Sequence, residues 1–336
     1  MPPVRFHEPV GRGGIHPSGR REDGKGRELR VSDRAAINAG PDGGAGQATL
    51  LFGVGATKAG TSWLYRFLAS HPECHLRTIK ELHFYDTLDR DNLDFQSKQF
   101  LTKHAALLAR REQVPAGDPR RRYLRRQIAD LEAYLPVLEA GDEGGYLSYL
   151  SDGRGQKGLV ADVTPAYSLL SPERLKSMAS LAPVTRFVYL MRDPVSRLWS
   201  HVRMMANRAA KAGKTLADHA ARIFDNALSG KALHVTDRGD YVGALDRLDA
   251  ALDPKALFLG FYEELFSEQA IARLCAFLGL APVEARFDKR VHEGVKIEMT
   301  ADQRARAAAY LRPQYDYVLA RMGRLPAKWE ANYAGV

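Results

Sequence analysis

The chain has 336 residues, 45% of them hydrophobic and 26% charged, ordinary proportions for a globular protein with a sizeable core; one α/β domain with an insertion absorbs that length without a second core. Two cysteines, Cys74 and Cys275, are too few for a disulfide framework and have no metal-ligand spacing, and no apolar run approaches the roughly 20 residues that span a bilayer. A net charge of +9 and a pI near 9.5 point to an anionic partner without choosing among nucleotide, acidic glycan, membrane surface and nucleic acid, and a cytoplasmic location is expected.

Residues 1–47 are rich in Gly, Arg and Pro, lack periodicity and are expected to form a disordered tail, which leaves 48–330 as the domain. Thr49 to Val54 reads as a buried strand. A glycine-containing loop follows, then a helix over 61–69 whose buried face is Trp63, Leu64, Phe67 and Leu68, closed by His71-Pro72. After Lys80 to Asp86, residues 95–140 read as an inserted helical pair broken by Pro115, Gly117 and Pro119, near the acceptor side of the domain. Strands are expected at 158–163, 186–191 and 256–261, with helices from Pro172, from Pro194, at 214–229 and 240–252, before Gly279, and at 301–321. Strands alternating with helices imply right-handed crossovers, hence a three-layer α/β fold with a parallel sheet covered on both faces, whose ligands bind at the strands' carboxyl ends.

The first loop, Gly55-Ala56-Thr57-Lys58-Ala59-Gly60-Thr61-Ser62, has the glycine spacing of a P-loop, in which backbone amides and a helix N-terminus surround phosphate oxygens. Thr61 occupies the place of the P-loop lysine, and Lys58 lies three positions earlier. A nucleoside triphosphatase needs its lysine on the β/γ-phosphates and a hydroxyl on magnesium. This loop suits a shorter phosphate or sulfate chain, although an ordinary strand-to-helix turn also favours Gly, Thr and Ser.

A second motif is Arg192-Asp193-Pro194-Val195-Ser196-Arg197-Leu198-Trp199-Ser200. Asp193 can cap a helix whose first residue is Pro194, so Arg192 ends the strand and projects at the sheet edge. Ser200, seven residues after the cap, falls on the same side, and the pair can grip one phosphate. Arg197 is expected at the surface.

With both motifs in order, the chain resembles the sulfotransferases that use 3′-phosphoadenosine 5′-phosphosulfate (PAPS), over roughly residues 49–330. The resemblance implies a P-loop-like sulfotransferase fold. Lys58, Ala59, Gly60, Thr61 and Ser62 match that family's 5′-phosphosulfate loop, and Arg192 with Ser200 its 3′-phosphate motif. Lys80-Glu81-Leu82-His83-Phe84-Tyr85-Asp86 looks like a stretch of the glycan-modifying, heparan sulfate sulfotransferase-like branch. There the glutamate is general base, assisted by the histidine and aspartate, which carries those roles onto Glu81, His83 and Asp86. Lys58 would neutralise the departing oxygen.

Val163 and Ser62 stand where the glycan branch usually has Lys and Arg. The nucleotide-covering loop, Val291 to Lys296, keeps Gly294 but shifts its base to Lys296, so these two are the expected contacts there. The implied partners are PAPS, adenosine 3′,5′-bisphosphate and a hydroxyl- or amine-bearing acceptor, with neither metal nor nucleic acid. A P-loop kinase with a magnesium site remains an alternative. Another is a non-catalytic basic module acting through Arg120, Arg121, Arg122, Arg125 and Arg126, although a solvated helix face explains those arginines better.

Overall fold

The computed structural model describes residues 48–209, 215–284 and 297–335. The predicted tail, Gly294 and Lys296 therefore lie outside the described residues.

The first strand, β1 (Thr49–Gly55), runs into α1 (Thr61–Ser70). In β1 consecutive side chains point to opposite faces, yet Leu50, Leu51, Phe52 and Val54 are all inaccessible to solvent. Both faces of the strand are therefore covered, which accounts for its unbroken apolar sequence. Strand β2 (Cys74–Leu76) follows, then α2 (Phe84–Arg90) and the hairpin of α3 (Leu93–Glu112) and α4 (Pro119–Ala140). That hairpin falls where the sequence pattern predicts a helical pair, its break at 113–118. Asp118 accepts from the Arg120 amide at the start of α4, directly before Pro119.

Helix α5 (Glu143–Ser151), β3 (Leu159–Asp162), α6 (Pro172–Ala179), β4 (Thr185–Met191) and α7 (Pro194–Ala209) come next. Beyond them lie α8 (Leu216–Leu228), the single turn α9 (Leu233–Thr236), α10 (Tyr241–Ala251), β5 (Leu257–Phe261), α11 (Glu268–Leu278), α12 (Ala301–Met322) and α13 (Ala327–Tyr333).

The five strands form an all-parallel sheet in the order β2-β3-β1-β4-β5, an α/β fold flanked by helices. The chain fills the β2-β3 side of β1 first and the β4-β5 side afterwards, so the order reverses about β1. Loops leave the carboxyl ends of β3, β1 and β4 side by side at this reversal, the usual ligand position in such sheets.

Sequence patterning missed β2, α2, α5, α9 and α13. Three residues of β2 are too few to display a period of two, and β2 is a strand because it pairs with Leu159 to Ala161. Helix α13 is fixed by fully buried Trp329, which packs edge-on to Phe261 and Tyr315. Pro313 does not end α12, which continues to Met322. No helix among the described residues is long and apolar enough to cross a membrane.

Candidate active site

The loop between β1 and α1 is built on two glycines that admit no side chain. A Cβ on Gly55 would collide with the Tyr189 ring of β4, and Gly60 takes φ 96° with Tyr262 only 2.8 Å from where its Cβ would stand. Gly60 is the N-cap of α1 and brings no side chain to cap it. Its carbonyl accepts from the amides of Trp63 (2.9 Å) and Leu64 (3.0 Å), whereas those of Thr61 and Ser62 precede the helical ladder. An uncapped N-terminus of a ten-residue helix thus faces the loop, where the dipole and free amides favour an anion. Ala59 and Thr61 are buried, and Ser62 is half-buried.

Lys58 stands in the same loop with φ 72°. Burial, then the neighbouring Arg192, pushes its ammonium below the usual lysine range, while Glu81 works in the opposite direction. Its Nζ lies 3.9 Å from Met204 Sδ on α7, and its carbonyl accepts from Arg192 Nη1 at 3.3 Å. The fold therefore brings Lys58 and Arg192 together, although 134 residues separate them.

Arg192 follows the last residue of β4, its amide donating to Tyr241 Oη (3.0 Å) and its carbonyl accepting from the same hydroxyl (2.6 Å). The guanidinium lies over Tyr262, 4.7 Å from the ring centre. Asp193 caps α7 by accepting from the Ser196 amide at 2.7 Å. It also takes hydrogen bonds from Tyr315 Oη (2.6 Å) and Asn332 Nδ2 (2.9 Å), so the C-terminal helices fix the start of α7.

On α7, Ser196 and Arg203 share a face with half-buried Ser200. Arg192, Ser196, Trp199, Arg203 and Arg304 line a cleft of about 420 Å³ whose far wall is Ile297 to Met299. Trp199 Nε1 ties that wall down by donating to the Ile297 carbonyl at 2.9 Å. Sequence reading missed Ser196, Arg203 and Arg304. Helical spacing from Arg192 marks the first two; Arg304 arrives from α12 and has no local signal.

Arg197 corrects the expectation of a surface arginine: it is only 1% exposed. The register of α7 points it away from solvent, beneath the segment at 235–239. Its Nη2 donates to the Val235 carbonyl at 3.1 Å, and Gly239 must be glycine because a Cβ there would enter the guanidinium. Arg197 thereby props the segment that carries Arg238.

Glu81 and His83 occupy left-handed backbone, at φ 63° and 57°. Among the described residues four non-glycine positions have positive φ, and Lys58, Glu81 and His83 are three of them. Such conformations are costly for side chains that gain nothing locally and concentrate at functional sites. Glu81 leaves 42% of its side chain accessible and pairs with Lys80, not with Lys58. Burial would raise its pKa, but Lys80, His83 and Arg238 outweigh that and hold it below the usual glutamate range. His83 Nε2 is 3.9 Å from Glu81 Oε2, and its Nδ1 meets Asp86 Oδ2 at 2.9 Å. Burial opposes charge on His83, yet Asp86 and then Glu81 raise its pKa above the ordinary histidine value.

The geometry thus unites Lys58, Glu81, His83 and Arg192 about the point where β1 reverses the strand order. A cationic cradle and a ready carboxylate side by side suit transfer of an anionic group to a nucleophile that must lose a proton.

The chain matches the family model described as the sulfotransferase family over residues 51–284. No curated protein sequence matches it. Among solved structures, the sulfotransferase from Alicyclobacillus acidocaldarius aligns with a TM-score of 0.53 at 21% identity, covering 83% of this chain and 98% of that one. The sulfotransferase domain from the Synechococcus PCC 7002 olefin synthase aligns at 0.46 and 16% identity, over 83% and 95% of the two chains. At these identities the likeness is one of fold, and only the first score is high enough to carry weight. Together with a family match that spans well over half of the sequence, it places the chain: the protein belongs to the sulfotransferase family.

Proposed function

We propose that the protein transfers a sulfuryl group from PAPS to a hydroxyl or amine of an acceptor. The observation that carries this reading is the meeting of Lys58, the uncapped start of α1 and Arg192 at one sheet edge. Bound PAPS supplies an activated sulfuryl group on a phosphate leaving group. Lys58, Gly60, Thr61 and Ser62 hold the 5′ end, while Arg192 and Ser200, with Ser196 and Arg203 beside them, hold the 3′-phosphate. Buried atoms left without a hydrogen bond among the described residues, Thr57 Oγ1 and Arg203 Nε, suit such an anionic ligand.

Glu81 takes the proton of the attacking oxygen or nitrogen as the new bond to sulfur forms. Lys58 neutralises the oxygen released as the bond from sulfur to the 5′-phosphate breaks, leaving adenosine 3′,5′-bisphosphate. His83, held by Asp86 with its pKa raised above the ordinary histidine value, stands 3.9 Å from the carboxylate. Lys80 and Arg238 add positive charge beside Glu81, which favours an acceptor that carries an anionic group of its own. The hairpin root, where the Tyr134 hydroxyl donates to the Leu82 carbonyl at 2.7 Å, adjoins this side of the site, so the insertion borders the acceptor.

Purified protein incubated with PAPS labelled in its sulfuryl group and pools of glycan, lipid and small hydroxylated acceptors should label one pool. Glu81→Gln should reduce that transfer by about 10²-fold or more. Thermal stabilisation by ATP with magnesium, and none by adenosine 3′,5′-bisphosphate, would instead support a kinase.

A further inference from the structure

The segment that carries Glu81 and His83 has little regular structure of its own, because residues 77–83 lie between β2 and α2. Two left-handed side-chain positions flanking Leu82 do not persist without outside support. The support comes from across the fold. The Leu82 amide donates to Thr164 Oγ1 at 2.9 Å, the Phe84 amide donates to Tyr167 Oη at 3.0 Å, and the Leu82 carbonyl accepts from Tyr134 Oη at 2.7 Å. Three of the backbone groups that bracket His83 are thus bound by buried hydroxyls.

Two of those hydroxyls, on Thr164 and Tyr167, are organised in turn by one carboxylate. Asp162, the last residue of β3, is 2% exposed. Its Oδ1 accepts from Thr164 Oγ1 at 2.7 Å, and its Oδ2 accepts from Tyr167 Oη and Tyr146 Oη, each at 2.8 Å. A hydroxyl has a single proton. Thr164 and Tyr167 spend theirs on Asp162 and can therefore only accept from the amides of Leu82 and Phe84. Burial raises the Asp162 pKa above the usual carboxylate value, and the hydrogen bonds from Thr164, Tyr146 and Tyr167 oppose that rise; with these three hydroxyls donating to it, the carboxylate sets the direction of the bonds that Thr164 and Tyr167 make to the backbone.

The surroundings prevent water from relaxing this arrangement. Tyr146 stacks on Phe84 at 4.2 Å between ring centres, and Tyr85, Tyr167 and Phe52 close the cluster edge-on. Thr164, Tyr146, Tyr167 and Phe84 are inaccessible to solvent. In so dry a site a mismatched donor or acceptor has no alternative partner.

We infer that Asp162 is a positioning residue for sulfuryl transfer: through Thr164 and Tyr167 it holds the backbone on either side of His83 and so aims Glu81 and His83 at the acceptor. This inference rests on the proposed role of Glu81. It extends the catalytic apparatus to a residue at the end of β3, next to Val163 and away from the nucleotide motifs.

The test uses four single variants and one double. Asp162→Asn places an amide donor against either the threonine or the two tyrosines, which reverses at least one hydroxyl and sets its proton against a backbone amide. Thr164→Val and Tyr167→Phe each remove one acceptor without adding a donor, and they carry the test should Asp162→Asn fail to fold. We expect kcat to fall about 10- to 100-fold in all three, because displacing a reacting group by about 1 Å has that effect. The dissociation constant for adenosine 3′,5′-bisphosphate should stay within about two-fold of wild type, a separation that general loosening of the fold would not give. Adding Thr164→Val to Glu81→Gln should reduce kcat no further than Glu81→Gln alone. Wild-type kcat in Thr164→Val and Tyr167→Phe, with Glu81→Gln inactive, would overturn the positioning role and leave the base in place. Wild-type kcat in Glu81→Gln would overturn the base itself, and the network's catalytic meaning with it.

Discussion

The two ends of the site are built in different ways. At the proposed nucleotide end the helix starts are set by contiguous residues: Gly60 starts α1, Asp193 caps α7, and Pro194 supplies a preset first residue. At the proposed acceptor end the side chains pair locally, Glu81 with Lys80 and His83 with Asp86, but the backbone that carries them is held from afar. Glu81 and His83 sit in a short irregular segment whose amides are held by Thr164 and Tyr167, 82 and 83 residues further on. The first end is a pair of helix starts that would form on many sheets. The second exists only because β3, α4 and the loop beyond β3 converge on it. Damage at the nucleotide end should therefore weaken donor binding or leaving-group stabilisation, whereas damage at the acceptor end should reduce turnover with the donor still bound.

The largest expected effect sharpens that contrast at the nucleotide end. Lys58→Ala removes the one cation in the loop and should lower kcat by about 10²- to 10³-fold, the usual result of deleting a donor aimed at developing negative charge. Circular dichroism should show the fold unchanged, because Lys58 makes only a weak contact with Met204. An activity loss below ten-fold would remove Lys58 from the reaction.

A stability effect of similar size belongs to Asp193. Asp193→Ala strips the cap from α7 and leaves the Tyr315 and Asn332 groups without their acceptor. It should destabilise the protein by about 3 kcal/mol, judged from buried polar groups that lose their partner. Urea denaturation checks this, and a change under about 1 kcal/mol would mean that α7 starts without its cap.

His201 gives a smaller effect that depends on pH. Burial first, then Arg197, Arg238, Lys58 and His234, pushes its imidazole down to about 2, whereas the unfolded chain protonates near 6.5. Between these values the unfolded chain binds the extra proton. The contribution of His201 is complete above pH 6.5 and is lost as the pH falls, by about 1.4 kcal/mol per unit. His201→Asn should flatten stability between pH 6.5 and 5, measured by urea midpoints; an unchanged slope would place the acid sensitivity elsewhere.

These contrasts also explain what sequence could reveal. The strand at Thr49 and the helix at Pro194 announce themselves through contiguous residues: an apolar run, a glycine turn, an aspartate before proline. The resemblance to the sulfotransferases rested on such stretches, and the family match covers the same ground. Arg197 was misjudged because a helix register says which residues share a face but not what lies against it, and the segment at Val235 is 38 residues away. Arg304 and Asp162 escaped for the same reason. Asp162 ends a short strand like many other aspartates, and its three hydroxyl partners come from α5 and from the loop beyond β3. Three-residue β2 is visible only through its pairing with β3.

The smallest expected effect concerns the tip of the hairpin. Arg122 precedes Tyr134 by 12 residues, about 18 Å of helix, so the arginine-rich end of α4 stands apart from the Glu81 segment. Reversing the charges of Arg122, Arg125 and Arg126 together should leave kcat with a small acceptor within about two-fold of wild type. A larger fall would extend the acceptor end along the whole hairpin.

The most direct test of the two-ended site is a calorimetric titration with adenosine 3′,5′-bisphosphate in the absence of magnesium. Binding to one site per chain is predicted, weakened about 10- to 100-fold by Arg192→Ala, the usual scale for losing a hydrogen bond to a charged group. It should be unchanged by Glu81→Gln. No binding to the wild-type protein, or equal binding by Arg192→Ala, would contradict it.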